Sequence, residues 1–288
     1  MPEGDTIFRA AASLHDALAG EVVTAVRTTV PQVRRLLPER LVGESVDSVE
    51  ARGKHLLCWF TPSDLALHTH MRMTGSWHLY PTGTRWRKPA HLARLVLSTA
   101  TVDAVCFNAP VIELLSRGQV DAHPSLRDLG PDPLAGGPDG PVDLDEAAAR
   151  LAARADTAIG EALLDQRVLA GVGNVYKNEV LFIHGVDPWT PVGVVPPDVR
   201  AALLTTASDL LRANVAHGGP QRITTRRPAD VRRGGRRGSD RVFVYGKAGR
   251  PCPRCGTPIR SAALGEHARI TYWCPRCQGP GPDRARMR

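Results

Sequence analysis

The chain has no apolar run approaching the ~18 residues that a membrane-spanning helix requires. Its start, MPEGDTIFRA, lacks the basic and apolar segments of a secretory signal. A cytoplasmic protein is therefore expected, with no membrane partner and with Met1 and Pro2 part of its mature design. Cysteine is sparse, six in 288 residues, which argues against a disulfide framework in that compartment. No internal repeat is present. Acidic residues nearly vanish from the C-terminal end: residues 217–288 hold 17 Lys and Arg against 4 Asp and Glu, a net of +13. The first 216 residues carry 20 against 25, a net of −5. Such asymmetry suits a polyanion-binding face, because neutralising phosphates releases condensed counterions. A solvated basic tail would read the same way.

What is there suffices for a buried core, at 42% hydrophobic residues, and the length suggests two domains with a small appendage. Ile7, Ala11, Leu14 and Leu18 recur at helical spacing just after Glu3-Gly4, with Asp5 or Thr6 available as N-cap and Gly20 as a stop. Short β-type segments follow, among them EVVTAVRTTV, KHLLCWF, LALHTHMRM, ARLVLST and VDAVCFN, at a density that predicts a β-sandwich or barrel. Met71 and Met73 fall on one face of the third segment, opposite His68, His70 and Arg72. Cys58 and Cys106 lie in apolar strands and read as core residues. The stretch GPDPLAGGPDGP, residues 130–141, reads as an interdomain linker. Helical patterns cover about 143–154, 158–165, 174–184 and 197–215. RRGGRRGSDR, residues 232–241, reads as a mobile basic loop, after which VFVYG starts a strand.

Two C-x-x-C knuckles, Cys252/Cys255 and Cys274/Cys277, are separated by 18 residues. Each supplies two thiolates from one tight turn, and four thiolates close the shell of a tetrahedral zinc, so one structural ion per chain is expected. The segment between them should form a β-hairpin carrying Arg269, with Arg250, Arg254, Arg260 and Arg276 around it. Such basic ribbons serve DNA-binding proteins, and also RNA-binding, ribosomal and protein-binding ones. LLDQRVLAGVGNVYKNEVLF, residues 163–182, reads as helix, glycine turn, helix, with Asn174 at the N-cap position of the second helix. Bare amides at a helix start make an anion site, although a plain tight turn fits the same residues.

Four features together carry a resemblance: the MPEG start, Gly53-Lys54 in ARGKHLL, the LDQRVLAGVGNVYKNE run, and VYGKAGRPCPRCG with RITYWCPRCQ. In order and spacing they resemble the formamidopyrimidine-DNA glycosylase and endonuclease VIII family from Met1 to about Gln278. The resemblance implies an α+β fold: a two-layer antiparallel β-sandwich with flanking helices, a helix-two-turn-helix domain and a zinc β-hairpin. It divides the chain into 1–129, a linker 130–141, 142–216, a basic loop 217–241, a zinc finger 242–280 and a basic tail 281–288.

The resemblance also implies chemistry. Once Met1 is removed, the secondary amine of Pro2 attacks C1′ of a deoxyribose, Glu3 donates a proton, Lys54 contacts a phosphate and assists β-elimination, and Arg269 grips phosphates and supports δ-elimination. Asn174 and Lys177, with Arg254 and Arg276, are expected on DNA, and Met73 is expected to fill the gap left by a flipped nucleotide. The implied partner is damaged DNA, double- or single-stranded, bound in the cleft between the domains by a monomer of the bacterial nucleoid. The chain departs from formamidopyrimidine-type members in two places. No arginine precedes Phe107 in VCFNAPVIELL, leaving Phe107 as the one candidate for their wedge phenylalanine, and the start reads MPEGD with Thr6 in place of a glutamate. Both departures favour the endonuclease VIII branch and oxidised pyrimidines. A lesion-binding protein without turnover is the alternative.

Overall fold

The computed structural model describes residues 2–216, 222–226 and 241–282. Apart from Arg241, Gly281 and Pro282, the stretches read as basic loop 232–241 and basic tail 281–288 lie outside them. The chain divides into two compact units, residues 1–128 and 129–288.

The first unit opens with α1 (Gly4–Leu18), whose Ile7, Ala11, Leu14 and Leu18 form one buried stripe. Its N-cap is Glu3, not Asp5 or Thr6: the Glu3 carbonyl accepts from the Thr6 and Ile7 amides at 2.9 and 3.0 Å. Asp5 lies inside the first turn and pairs with Arg9 one turn on, at 3.0 Å. Then come β1 (Ala25–Arg27), α2 (Pro31–Arg34), β2 (Ser45–Arg52), β3 (His55–Thr61), β4 (Leu65–His70), β5 (Ser76–Pro81), β6 (Ala93–Ser98), β7 (Val102–Phe107), β8 (Val111–Ser116) and α3 (Arg117–Asp121). The strands form two antiparallel four-stranded sheets, ordered β1-β6-β7-β5 and β2-β3-β4-β8.

Period-two alternation places the core. Leu56, Cys58 and Phe60 of β3 and Leu67 of β4 meet Leu95, Leu97, Ala104 and Cys106 of the other sheet, joined by the α1 stripe. β2 escapes a simple alternation reading because its register shifts between Val46 and Ser48, and that shift lets both Val46 and Val49 reach the core. The opposite face of β3 and β4 also carries buried residues, and α3 packs beside β4 and β8. Ser116 caps α3 in a capping box with Gln119, and the Arg117 guanidinium both pairs with Asp64 at 2.6 Å and stacks on Trp59. β4 ends at His70, so Met71 and Met73 do not share a strand face. Arg72 turns the chain with φ +45°, Met71 enters the core, and Met73 is left 57% exposed.

The second unit holds α4 (Leu144–Ala152), α5 (Ile159–Ala162), α6 (Asn174–Ile183), α7 (Pro197–Ala216), and the hairpin β9 (Arg260–Leu264) and β10 (Arg269–Trp273). Asp143 caps α4 by accepting from the Glu146 amide at 2.8 Å. α4, α6 and α7 share an apolar core that includes Leu151, Tyr176, Leu203 and Leu211. The Pro/Gly stretch 130–141 forms turns held to this unit: Gly130 donates to the Gln166 carbonyl, and Arg212 donates to the carbonyls of Pro133 and Gly140.

VFVYG does not form a strand. The amides of Phe243, Val244 and Tyr245 instead converge on the buried carboxylate of Glu179 in α6, the last two at 2.8 Å, and the Thr225 hydroxyl joins them. A carboxylate can accept all four donors, whereas a strand would need a neighbouring edge. Glu179→Ala should cost about 3 kcal/mol or more by leaving buried amides unsatisfied. Urea unfolding of the whole chain measures this, and a loss under about 1 kcal/mol would show that the carboxylate is dispensable.

Candidate functional site

Each unit carries one set of the expected site residues. In the first, Pro2 is half-buried and Glu3 is fully buried where the chain enters α1. Lys54 sits in the two-residue β2–β3 turn, closed by the Arg52–His55 pair. Gly53 takes φ +57° there while Lys54 does not, the pattern of a type II′ turn, which requires glycine at its first central position. The turn holds Lys54 at the end of the sheet on two rigid strands. Phe107 is 0% exposed, with its ring edge-on to His78 and Trp86, so the wedge role considered for it is not available in this structure.

Beside Lys54 lies a histidine cluster that sequence reading missed. His55 Nδ1 is 2.8 Å from His68 Nε2, His68 Nδ1 is 2.7 Å from Glu113 Oε2, and His123 Nε2 is 3.2 Å from the same oxygen. The His70 ring packs edge-on against His55 at 4.7 Å. Cross-strand register assembles the group, since His55 faces His70 and His68 faces Glu113. The one hint in the sequence was the i, i+2 spacing of His68 and His70. Burial is the main cause holding the His55 pKa down to about 2, with repulsion from His70, His68, His123 and Lys54 adding to it. Burial and then Lys54 lower His70 to about 4. Folding thus favours neutral rings, so this contribution to stability is complete above the unfolded value near 6.5 and is lost as pH falls below it. Urea unfolding should lose up to about 2 kcal/mol between pH 6.5 and 5 from His55 alone, and His55→Leu should flatten that slope.

In the second unit, Gln166 pins the glycine turn between α5 and α6. Its carbonyl accepts from the Gly171 amide at 3.0 Å, and its amide donates to Leu164 and Val172 carbonyls, both at 2.9 Å. Gly171 takes φ +87° there. Gly173 is the N-cap of α6 and Asn174 its first helical residue, so the helix starts one position earlier than the capping reading. The Asn174 side-chain amide donates to the Ile270 carbonyl at 2.9 Å, tying α6 to the residue after Arg269. Lys177 is 0% exposed and its ammonium donates to the Thr271 hydroxyl at 2.6 Å, so its expected contact with DNA is corrected to a contact with β10. Asn178, which sequence reading missed, accepts from the Tyr272 amide at 2.6 Å. Arg254 is exposed; it donates to the Phe182 and Ile183 carbonyls at the C-terminal end of α6 and stacks on Phe182, the favourable end of the helix dipole for a cation. Arg269 and Arg276 are exposed, on β10 and the second knuckle.

The four cysteine sulfurs lie within 4.8 Å of one another, with Cys252–Cys277 at 4.0 Å and Cys255–Cys274 at 3.4 Å. Tetrahedral zinc with Zn–S bonds of about 2.3 Å needs sulfurs about 3.8 Å apart, so the donor set fits one closed structural zinc. Gln278 docks the second knuckle, accepting from the Cys274 amide and donating to the Val186 carbonyl, both at 3.0 Å. Stripping the metal with a chelator should release the hairpin while sparing the β-sandwich. Amide exchange would check this, with protection lost in 260–273 and retained in β3 and β4; unchanged hairpin protection would count against a structural metal.

A β-sandwich unit with an N-terminal Pro-Glu, and a helix-two-turn-helix unit carrying a four-cysteine zinc hairpin, define a class of DNA-repair glycosylase fold. The chain belongs to the formamidopyrimidine-DNA glycosylase family: residues 1–110 match its N-terminal domain, 129–226 its H2TH domain, and 249–279 the zinc finger found in FPG and IleRS. It is 47% identical to a probable endonuclease 8 2 of Streptomyces coelicolor, covering 98% of this chain and 96% of that one. It is 41% identical to the DNA-(apurinic or apyrimidinic site) lyase Nei2 of Mycolicibacterium smegmatis, covering 96% and 99%. Four relatives named formamidopyrimidine-DNA glycosylase are 32–34% identical, so the chain is nearer the endonuclease 8 branch. In fold it matches the Lactococcus lactis formamidopyrimidine-DNA glycosylase bound to DNA containing an abasic site, with TM-score 0.78, 23% identity, and coverage of 96% of this chain and 99% of that one. Among the described residues, no helix is long and apolar enough to cross a membrane.

Proposed function

We propose that this protein is a bifunctional DNA glycosylase and abasic-site lyase of base excision repair, acting as a monomer on oxidised pyrimidines in the bacterial cytoplasm. The observation that carries the reading is a carboxylate, Glu3, fully buried at the positive end of α1 beside Pro2. An ionisable group at a buried site calls for a function, and next to a secondary amine that function is proton transfer. A free α-amine has a pKa of about 7.7–8, so a useful fraction of Pro2 is unprotonated near neutrality. Pro2 nitrogen attacks C1′, the C1′–base bond breaks, and Glu3 supplies the proton that opens the sugar ring. The resulting iminium acidifies C2′. Loss of that proton expels the 3′ phosphate, and a second elimination expels the 5′ phosphate.

Lys54 and Arg269 take phosphate-binding and elimination roles, which their places on a rigid turn and an exposed strand support. Asn174 positions Arg269 through the Ile270 carbonyl, Arg276 adds a phosphate contact, and exposed Met73 fills the space of the flipped nucleotide. The endonuclease 8 names of the relatives at 40–47% identity support the substrate class. Borohydride should trap a covalent adduct on DNA carrying an oxidised pyrimidine, with Met1 shown absent by mass spectrometry. Retained Met1 should leave binding intact and abolish the adduct. Tight binding with no adduct from the mature protein would instead favour a lesion-binding protein without turnover.

A further inference from the structure

The His55–His68–Glu113–His123 group belongs to none of the roles above, and its hydrogen bonds allow the proton on each ring to be assigned. Ionised Glu113 can only accept, so both rings that touch it must donate. The Ser125 amide donates to His123 Nδ1 at 3.2 Å, which leaves the His123 proton on Nε2, facing Glu113. That assignment argues against a metal at His68, Glu113 and His123, because Nε2 of His123 is occupied by its proton. His68 donates from Nδ1 to Glu113, so in its neutral form its Nε2 accepts from His55 Nδ1. His55 is left with an unprotonated Nε2. On the neighbouring strand, the Arg72 amide donates to His70 Nδ1 at 3.1 Å, placing the neutral His70 proton on Nε2.

We propose that Glu113, acting through His68, fixes which nitrogen of His55 carries the proton, and that this chain positions the Lys54 turn for the elimination steps. His55 follows Lys54 in sequence, closes its turn by pairing with Arg52, and packs against His70. The positive charge of Lys54 disfavours a charged His55 ring, so a neutral ring suits its place behind the turn. If Glu113 is removed, His68 loses the acceptor for Nδ1–H. Its proton then moves to Nε2, which donates to His55 Nδ1 and forces the His55 proton onto Nε2. No proton is gained or lost; the hydrogen bond between the two rings reverses. A carboxylate at the far edge of the sheet thereby changes the face that His55 presents near Lys54. Glu113, His68 and His55 are positioning residues in this scheme. The role of Lys54 rests on the function proposed above, whereas the proton assignment does not.

Glu113 lies on β8 with a side chain 37% exposed, so it can be replaced without opening the core. Nitrogen-15 NMR of the zinc-loaded full chain should report His55 protonated on Nδ1 in the wild type and in Glu113→Gln, whose carbonyl still accepts, but on Nε2 in Glu113→Leu. On abasic-site DNA, Glu113→Leu should form the borohydride adduct as the wild type does, yet cleave the strand about tenfold more slowly, with Glu113→Gln restoring the rate. An unchanged His55 proton in Glu113→Leu would overturn the proposal, as would full cleavage by that variant. Zinc uptake beyond one ion per chain that is lost in His123→Ala would overturn it in favour of a metal site. Absence of any adduct from the wild type would defeat the lyase reading while leaving the NMR result to stand by itself.

Discussion

The second unit depends on a helix that is buried on its polar side as well as its apolar side. α6 carries Asn174, Lys177, Asn178 and Glu179 in its interior, and each side chain meets a group outside the helix or in its first turn. Buried polar groups without partners are strongly destabilising, so these four permit few alternative placements of the chain around them. Asn174, Lys177 and Asn178 address three successive residues of β10, namely Ile270, Thr271 and Tyr272. Glu179 gathers the segment leading into the first knuckle. The hairpin is therefore positioned by one helix face, and the zinc holds its base closed.

This arrangement explains why a metal far in sequence from α6 matters to it. A two-stranded hairpin is marginal in isolation. Four thiolates around one ion close its base, and Arg254 binds the adjacent knuckle to the last carbonyls of α6. Arg269, at the start of β10, inherits its placement from both constraints.

In the first unit the constraint is register. The two sheets bury their facing residues by simple alternation, and that much was legible in KHLLCWF, ARLVLST and VDAVCFN. Alternation alone does not say which residue of β3 lies across from which residue of β4. That pairing creates the histidine cluster, and the same end of the sheet holds Lys54 in its glycine turn. Phe107 shows the same limit from the other side: an aromatic that looked available is core.

By itself the sequence determined the helices other than the short α2 and α3, most strands, the zinc ligands and the N-terminal Pro-Glu, because periodicity, C-x-x-C spacing and turn chemistry act over a few residues. It also marked Asn174 and Arg269 through resemblance, without saying what each touches. Tertiary structure decided that Lys177 serves the fold, that VFVYG wraps a carboxylate instead of pairing as a strand, and that four groups from β3, β4, β8 and the turn after α3 share one hydrogen-bonded chain. Those outcomes turn on long-range contacts between residues up to about a hundred positions apart, such as Asn174 and Ile270. Local propensity carries no information about partners at that distance; burial, which forces every polar group to find one, does.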